Sequence, residues 1–399
     1  MKRICLSVVG MVLVLFSSFA QDPVKDSSQY KSRKLTFEEA NLVSSYYHQD
    51  GNNSAVTGGI GSEKLSDLSN SFDVKFSKWD RKSRKHSFGL EIGIDHYTSA
   101  SSDKIDPQTI SSASHADTRI YPSATWIREN ERKGTTIGAG LSFSTEFDYQ
   151  SFGANVRFAQ KTKNRNGEFS ASLQAYLDQV SIILPVELRT GGTTGDENDY
   201  PSKARNSLSG SFSYSQIINQ RLQIMFLLDL IYQNGYLGLP FHRVYFNDNS
   251  LHVENLPDTR LKIPIGFRAN YFAGDKVIIR TFYRYYHDDW GLNAHTAELE
   301  IPVKVTPFLS ISPFYRYYSQ SAVDYFSPFK IHTAADQYYT SNYDLSKFNS
   351  NFFGAGIRVA PPKGVFGLAH FSTLELRYGH YTKTTGMNAN ILSLNLGFK

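Results

Sequence analysis

Cysteine is all but missing from this chain of 399 residues; the single one, Cys5, lies near its start. Disulfides, thiolate metal sites, a thiol nucleophile and c-type haem attachment are therefore excluded for everything downstream. Long apolar runs are missing as well. After residue 20 no stretch approaches the roughly 18 apolar residues of a spanning helix, so a mature chain that crosses a membrane must do so as a closed barrel. Charge of one sign is also lacking: Lys and Arg total 42, Asp and Glu 37. The net +5 becomes about +3 once Lys2 and Arg3 are removed, which offers no polybasic surface to nucleic acid and none to an acidic partner. Tryptophan is scarce at 3, whereas 25 Tyr and 28 Phe bring aromatics to 14%, with a negative mean hydropathy. A soluble β-sandwich can share that profile, but it suits better a barrel with an apolar outer band, tyrosine girdles and a polar lumen.

What is present begins with an export signal. Lys2 and Arg3 form a positive n-region, Ile4 to Phe16 an apolar h-region, and Ser18-Phe19-Ala20 a small-x-small cleavage site. The expected organisation is a signal peptide over 1–20 cleaved after Ala20, a polar periplasmic lead-in over 21–38, and one barrel over 39–399. Cys5 is too far from the cleavage point to become a lipidated N-terminus.

Sixteen segments then alternate apolar and polar with period two, each near the 9–11 residues of a tilted membrane strand. The first eight are Glu39–His48, Leu68–Trp79, His86–Tyr97, Arg119–Arg128, Thr135–Thr145, Tyr149–Gln160, Glu168–Asp178 and Asn206–Gln216. The second eight are Leu222–Gln233, Thr259–Tyr271, Lys276–His287, Asn293–Lys304, Phe308–Ser319, Phe348–Val359, Leu368–Tyr381 and Met387–Phe398. Odd-to-even links are often long, as in Gln49–Asp67, Thr98–Thr118, Gln179–Arg205, Asn234–Asp258 and Gln320–Lys347. Even-to-odd links such as Asp80–Lys85, Ile217–Arg221 and Phe272–Asp275 are short. Short turns at one end and long loops at the other mark an outer-membrane barrel, and an even strand count leaves both termini in the periplasm.

Facing follows from the alternation. In the tenth segment Leu261, Ile263, Ile265, Phe267, Ala269 and Tyr271 share one face, with Lys262, Arg268 and Asn270 on the other. The charged faces must then look into the lumen. Pro264 and Pro302 each remove a ladder hydrogen bond and weaken their strands locally. No internal repeat is seen, and nothing like a plug domain precedes the first segment, which argues against a TonB-dependent transporter.

Two stretches look familiar: Ser44-Ser45-Tyr46-Tyr47-His48-Gln49-Asp50-Gly51-Asn52-Asn53-Ser54-Ala55-Val56-Thr57-Gly58-Gly59-Ile60-Gly61, and Asp95-His96-Tyr97-Thr98-Ser99-Ala100-Ser101-Ser102-Asp103-Lys104-Ile105-Asp106-Pro107. With their flanks they resemble an uncharacterised family of Gram-negative exported proteins, domain of unknown function 3570, over nearly the whole mature chain. The resemblance implies an outer-membrane-type barrel of unassigned activity, and it brings no catalytic residues with it.

The leading functional candidate is lumen charge. Inward faces carry Arg157, Arg268, Arg280, Arg284, Arg316, Arg358 and Arg377, with Glu91, Asp95, Asp178, Asp229, Glu298, Glu300 and Glu375. Fixed charge in a water-filled pore biases which ions pass; the bland alternative is that opposite charges pair to hold shape, with no conducting path. The arginines cluster in the C-terminal half, which points to one cationic wall and anion preference. Asp103 and Asp106, with Ser101 and Ser102, are hard oxygen ligands for calcium, but Asp-x-Lys-Ile-Asp lacks the ligand density of a known calcium loop. A solvated or lumen-folded loop is expected there instead, and no metal is assigned. The Gly58-Gly59-Ile60-Gly61 run is read as tight backbone passage, since no Gly-Lys-Ser/Thr follows to make a phosphate cradle.

His287-Asp288-Asp289-Trp290 sets an imidazole beside two carboxylates, yet neighbours on a strand face opposite sides. Tyr285, Tyr286, His287 and Trp290 are therefore expected in an interfacial aromatic girdle. His242, His252, His295, His370 and His380 are scattered, and no Gly-x-Ser-x-Gly marks a nucleophile, so no catalytic residue is assigned. The tail Leu392, Leu394, Leu396 and Phe398 follows the pattern of a barrel assembly signal, except that Lys399 comes after the aromatic.

These features predict an all-β fold: one transmembrane, antiparallel, up-and-down barrel of about 16 strands in a Gram-negative outer membrane, with no cofactor. The expected partners are outer-membrane lipid and, during biogenesis, the barrel-assembly machinery; nucleic acid is not among them. The expected function is porin-like passage of small solutes, with selectivity set by lumen Arg and Asp/Glu. The alternative is a non-conducting barrel that anchors or sheathes a cell-envelope protein; an enzyme site in the lumen ranks behind both.

Overall fold

Residues that alternate in polarity every second position can satisfy two solvents only if the strand's two faces meet different ones. The computed structural model describes residues 33–98, 116–189 and 200–399, and there the alternating segments become the walls of a barrel. The signal peptide expected at 1–20, the lead-in as far as residue 32, and Asp103 and Asp106 lie outside the described residues.

Among the described residues sixteen strands form the ring. They are β1 (Thr36–Asp50), β2 (Leu65–Trp79), β3 (Lys85–Thr98), β4 (Ala116–Asn130), β5 (Thr135–Thr145), β6 (Tyr149–Lys161), β7 (Gly167–Ser181) and β8 (Ser202–Ile217). The other half is β9 (Leu222–Gly235), β10 (Thr259–Ala273), β11 (Val277–Asp288), β12 (Asn293–Glu300 continued by Val303–Lys304), β13 (Leu309–Gln320), β14 (Phe348–Val359), β15 (Phe371–Lys383) and β16 (Asn388–Phe398). Each strand pairs antiparallel with the next. β1 closes the ring on β16, from Ala40↔Phe398 to Asp50↔Asn388. Closure leaves no unpaired edge for another chain to extend.

Each expected segment falls on one of these strands. The first strand starts earlier than read, at Thr36, within the span assigned to the lead-in. Both prolines act as their chemistry requires. Pro302 divides β12, and Pro264 opens the ladder on one side only. Pairing of β10 with β9 jumps from Lys262↔Ile231 to Ile265↔Leu228, while Pro264↔Tyr286 keeps the register with β11. The missing N–H would have pointed at β9.

The outward parity is apolar and bare: Leu90 and Ile92 on β3, Leu141 and Phe143 on β5, Leu173 and Leu177 on β7, and Leu208 and Phe212 on β8 are all exposed. The inward parity is polar. On β8 it reads Ser207, Ser209, Ser211, Ser213 and Ser215. Glycines on this face let rings lie flat on the wall: a Cβ on Gly93 would sit 2.0 Å from the Tyr121 ring.

The turns 80–84, 131–134, 162–166, 218–221, 274–276 and 305–308 are short, and all lie at one end of the ring. At the other end the loops 51–64, 236–258 and 321–347 fold over the mouth. The hydrophobic core sits there, not between strands: Trp290, Leu292, Ala294 and Val323 are buried against Leu237, Leu256, Tyr325, Phe326 and Leu345. A smaller cluster joins Val56 and Phe241. Tyr286, which faces inward onto this cluster, and Trp290 thus correct the expected girdle. Trp290 is 3% exposed, it donates its indole N–H to the Thr259 carbonyl at 2.9 Å, and Arg260 stacks on it at 4.2 Å.

Candidate functional site: a charged lumen beneath a loop cap

Strand register decides which side chains share the lumen. From β10 to β15 the inward positions bring together Arg268, Arg280, Arg284, Arg316, Arg358 and Arg377 with Glu298, Glu300 and Glu375. Aromatic rings stand among them. Arg268 lies over Phe282 at 5.4 Å, Arg316 over Phe352 at 4.9 Å and Arg377 over Phe314 at 5.1 Å. Phe314 and Phe352 can press close to the wall because Gly354 and Gly379 lack side chains; a Cβ on Gly379 would meet the Phe352 ring at 2.5 Å. Some of the charges pair and some do not. Glu300 accepts from Arg280 at 3.1 Å and from Arg377 at 3.0 Å, and Arg377 also reaches Glu375 at 3.4 Å. Among the described residues, no carboxylate lies within ion-pair distance of Arg268, Arg284, Arg316 or Arg358.

The facing wall has the opposite sign. β3 carries Glu91 and Asp95 inward, and β2 adds Asp67 and Asp73. In a ring of sixteen, β3 stands eight strands from β11, hence across the lumen from Arg280 and Arg284. Asp95 accepts from the Ser69 hydroxyl at 2.6 Å and the Tyr121 hydroxyl at 3.0 Å; Glu91 accepts from Ser71 at 3.0 Å. Between the walls, Arg157 and Asp229 share one ladder row through Ser172 and Ser211. They line a cavity of about 480 Å³ near the short turns, together with Glu168 and Arg165.

Water reaches this half of the lumen. The inward side chain of Arg280 is 49% exposed and that of Arg377 39%, although both belong to a closed ring. Inward residues nearer the loops are shut away: Ser350 is 2% exposed, Thr296 5%, Asp178 8% and Ala389 0%. Among the described residues the lumen forms a cup: the loops roof one end, and its exposed charges lie in the half toward the short turns.

The roof is fastened by buried ions. Arg243, 5% exposed, donates to the Val56 carbonyl at 2.8 Å and pairs with Glu187 at 2.7 Å, which ties three loops together. Glu254 accepts from the Leu239 amide at 2.8 Å and the Thr340 hydroxyl at 2.5 Å, and lies 3.6 Å from His242. Burial pushes the Glu254 carboxyl up; His242, Thr340 and Leu239 outweigh it and hold the group below the usual carboxylate range. Arg260 and Asp288 pair at 2.5 Å at the rim. The main chains join too, Asn255 and Tyr339 exchanging hydrogen bonds at 3.1 and 2.7 Å. Gly59, with φ +83°, passes so close that a Cβ would meet the Ser341 carbonyl at 2.5 Å. The tight backbone passage read in Gly58-Gly59-Ile60-Gly61 is thus part of the roof.

Asp178 and Asp229 also lie on inward faces, Asp178 under the roof. His295 and His380 point outward, while His242 and His252 belong to the roof. The loop fasteners Arg243 and Glu254 escaped the sequence reading, because nothing local marks a loop residue whose partner is far along the chain; Asp288 was weighed only beside His287, and its partner is Arg260. The aromatic residues beneath the arginines were visible in principle: Phe282, Phe314 and Phe352 break the rule that inward positions are polar.

The family model for proteins of unknown function DUF3570 matches residues 95–390. The stretch from Asp95 to Pro107 opens that span, and the one from Ser44 to Gly61 precedes it. No curated protein matches the chain in sequence. Solved structures of similar shape include a ferric enterobactin receptor from Pseudomonas aeruginosa, 12% identical with a TM-score of 0.46. That match covers 87% of this chain, which spans only 54% of the receptor's length. A BenF-like porin from Pseudomonas fluorescens Pf-5 is 10% identical, with a TM-score of 0.42 and 92% and 99% of the two chains covered. The outer membrane protein OprD from Pseudomonas aeruginosa is 8% identical, with a TM-score of 0.43 and coverage of 93% and 95%.

Proposed function

The chain belongs to the DUF3570 family of proteins of unknown function, and we propose that it is a porin-like barrel of the Gram-negative outer membrane that passes small solutes under control of its loop roof. Lipid is the solvent its outer face asks for. A fully exposed Leu or Phe forgoes about 1.5–3 kcal/mol in water, and the outward parity repeats such residues around the ring. Outer-membrane lipid is then its permanent partner, and the barrel-assembly machinery a transient one. The observation that carries passage is the exposure of Arg280 and Arg377 inside a closed ring, since a merely structural interior would be packed dry. Selectivity is assigned to the two walls, the cationic one across from Glu91 and Asp95.

The roof favours a second reading, a non-conducting barrel that holds a cell-envelope protein. Planar-bilayer recording of the folded, detergent-purified protein separates the two. Discrete current steps whose reversal potential follows an ion gradient support passage. Silence from protein shown to be folded sinks it, and crosslinking in cells for an envelope partner becomes the next measurement.

A further inference from the structure

We infer that the outer face of the roof carries a binding site for an acidic sugar, a hexuronate or a short glycan that contains one. The site lies outside the lumen, and binding there does not require that the barrel conduct.

Three loops that are far apart in the chain converge on it. Ile60 and Gly61 come from the loop 51–64, Tyr245 and Asn249 from 236–258, and Phe329 and Lys330 from 321–347; they line a cavity of about 400 Å³. Its parts are set in advance. Tyr245 lies against Gly58, where a Cβ would come within 2.7 Å of the tyrosine ring. Lys330 has a left-handed backbone, φ +60°, which is uncommon for a long side chain. Its N–H donates to the Tyr245 carbonyl at 3.1 Å, and its ammonium lies 5.3 Å from the centre of the Phe329 ring. Asn249 is left-handed as well, φ +67°, and its N–H donates to the Phe246 carbonyl at 3.0 Å. Groups already held in place lose little freedom when a ligand arrives.

The lining combines what a sugar needs. The face of an aromatic ring is the negative side of its quadrupole and attracts the C–H groups of a pyranose. The Tyr245 and Phe329 rings stand 5.1 Å apart at 60° to each other. That corner suits a thick saturated ring, whereas a flat aromatic ligand can lie parallel to only one of the two. The Asn249 amide offers two donors and an acceptor, and the Tyr245 hydroxyl can donate or accept. Among the described residues neither side chain has a hydrogen-bond partner, and neighbouring sugar hydroxyls can meet both. Charge then selects among sugars. Among the described residues no acid lines the cavity and Lys330 has no ion-pair partner, so a carboxylate is favoured over a neutral sugar or a cation.

Saturation-transfer NMR, which detects weak binding, tests the site on the folded protein in a polyoxyethylene detergent that carries no sugar. The probes are methyl glucuronide, methyl glucoside and benzoate. The glucuronide should bind, and the glucoside should bind roughly tenfold more weakly, the worth of one charge-assisted hydrogen bond. Benzoate, with the charge but not the hydroxyls, should not bind. Lys330→Gln should bring the glucuronide down to the level of the glucoside, and Phe329→Ala should abolish both. Ile331→Ser, at an exposed position outside the lining, should change neither. Hydrogen exchange in 51–64, 236–258 and 321–347 checks that each variant keeps its roof, and in the unaltered protein it should slow when glucuronide binds. Absence of glucuronide binding, equal binding of the glucoside or of benzoate, or full binding by Lys330→Gln would overturn the inference. The measurement needs no current: a conducting barrel that ignores glucuronide removes this site alone, and a silent barrel that binds it removes the passage reading alone.

Discussion

Thr340 and Glu254 stand 86 residues apart in the chain and meet inside the roof, where the Thr340 hydroxyl donates to Glu254 Oε1 at 2.5 Å. Both are buried, at 0% and 4% exposure. Thr340→Val keeps the shape and removes the donor, and leaving a buried carboxylate short of a partner costs about 1–3 kcal/mol. That penalty falls on the roof and not on the ring, whose ladders it does not touch. Hydrogen exchange in 236–258 and 321–347 should accelerate while the strands stay protected, and open time in bilayer recordings should rise. Unchanged exchange in both loops would show that Glu254 does not fasten the roof.

A second carboxyl links stability to pH. Asp148, in the turn between β5 and β6, is buried beside Glu146 and Asp117. Burial first, then these two charges, push it up to about 7 from an ordinary 3.8. Between those values the folded state holds a proton that the unfolded state has released. Stability should therefore fall as pH rises from about 4 to 7 and level off above. Asp148→Asn should flatten that slope and stabilise the protein at pH 8 by a few kcal/mol, read from urea midpoints at pH 5 and pH 8. Equal midpoint shifts at the two pH values would refute it.

The walls were legible in the sequence and the roof was not, for a physical reason. Period-two alternation is set locally by the two solvents a strand meets, so Leu261 outward and Arg268 inward could be read from a dozen residues. Even the prolines declared themselves: Pro264 and Pro302 weaken the ladders where chemistry says they must. Trp290 was misread because its surroundings are supplied by Val323 and Tyr325 from another loop. Long loops rich in Leu, Phe and Val, such as Leu237 to Val253, were the available sign that these segments fold on something. The lumen charges lay between these extremes. Parity placed Arg280 and Arg316 on one face, but only register distinguishes the neutralised arginine from the unpaired one.

Gly93 tests how the wall is built. A Cβ there would lie 2.0 Å from the Tyr121 ring, whose hydroxyl donates to Asp95 at 3.0 Å and whose face carries Arg119 at 5.1 Å. Gly93→Ala must expel the ring and break both contacts, at a cost of about 1–3 kcal/mol. Gly93→Ala combined with Tyr121→Ala should recover part of that loss. A single variant as stable as the parent in urea would show that the ring does not depend on the glycine.

Topology is open to a protease. Lys330 is exposed at the tip of the loop 321–347, whereas Arg132, Lys163 and Lys276 are exposed in the short turns. Trypsin added to intact cells should cut after Lys330 and spare those three, which become accessible only when the outer membrane is permeabilised. Cutting after Lys276 in intact cells would invert the orientation.

The sharpest test of the walls is Glu300. It pairs with Arg280 and Arg377 together, so Glu300→Gln removes one negative charge, frees Arg280 and leaves Arg377 only its longer contact with Glu375. The reversal potential under a salt gradient should move toward anion preference. Arg284→Glu, an unpaired arginine inverted, should move it the other way. Glu91→Gln on the facing wall should repeat the direction of Glu300→Gln with a smaller shift, because it frees no partner. A field that acts across the lumen requires all three signs to agree; if Glu91→Gln changes nothing while Glu300→Gln does, the cationic wall sets selectivity alone and the acidic wall only shapes the ring.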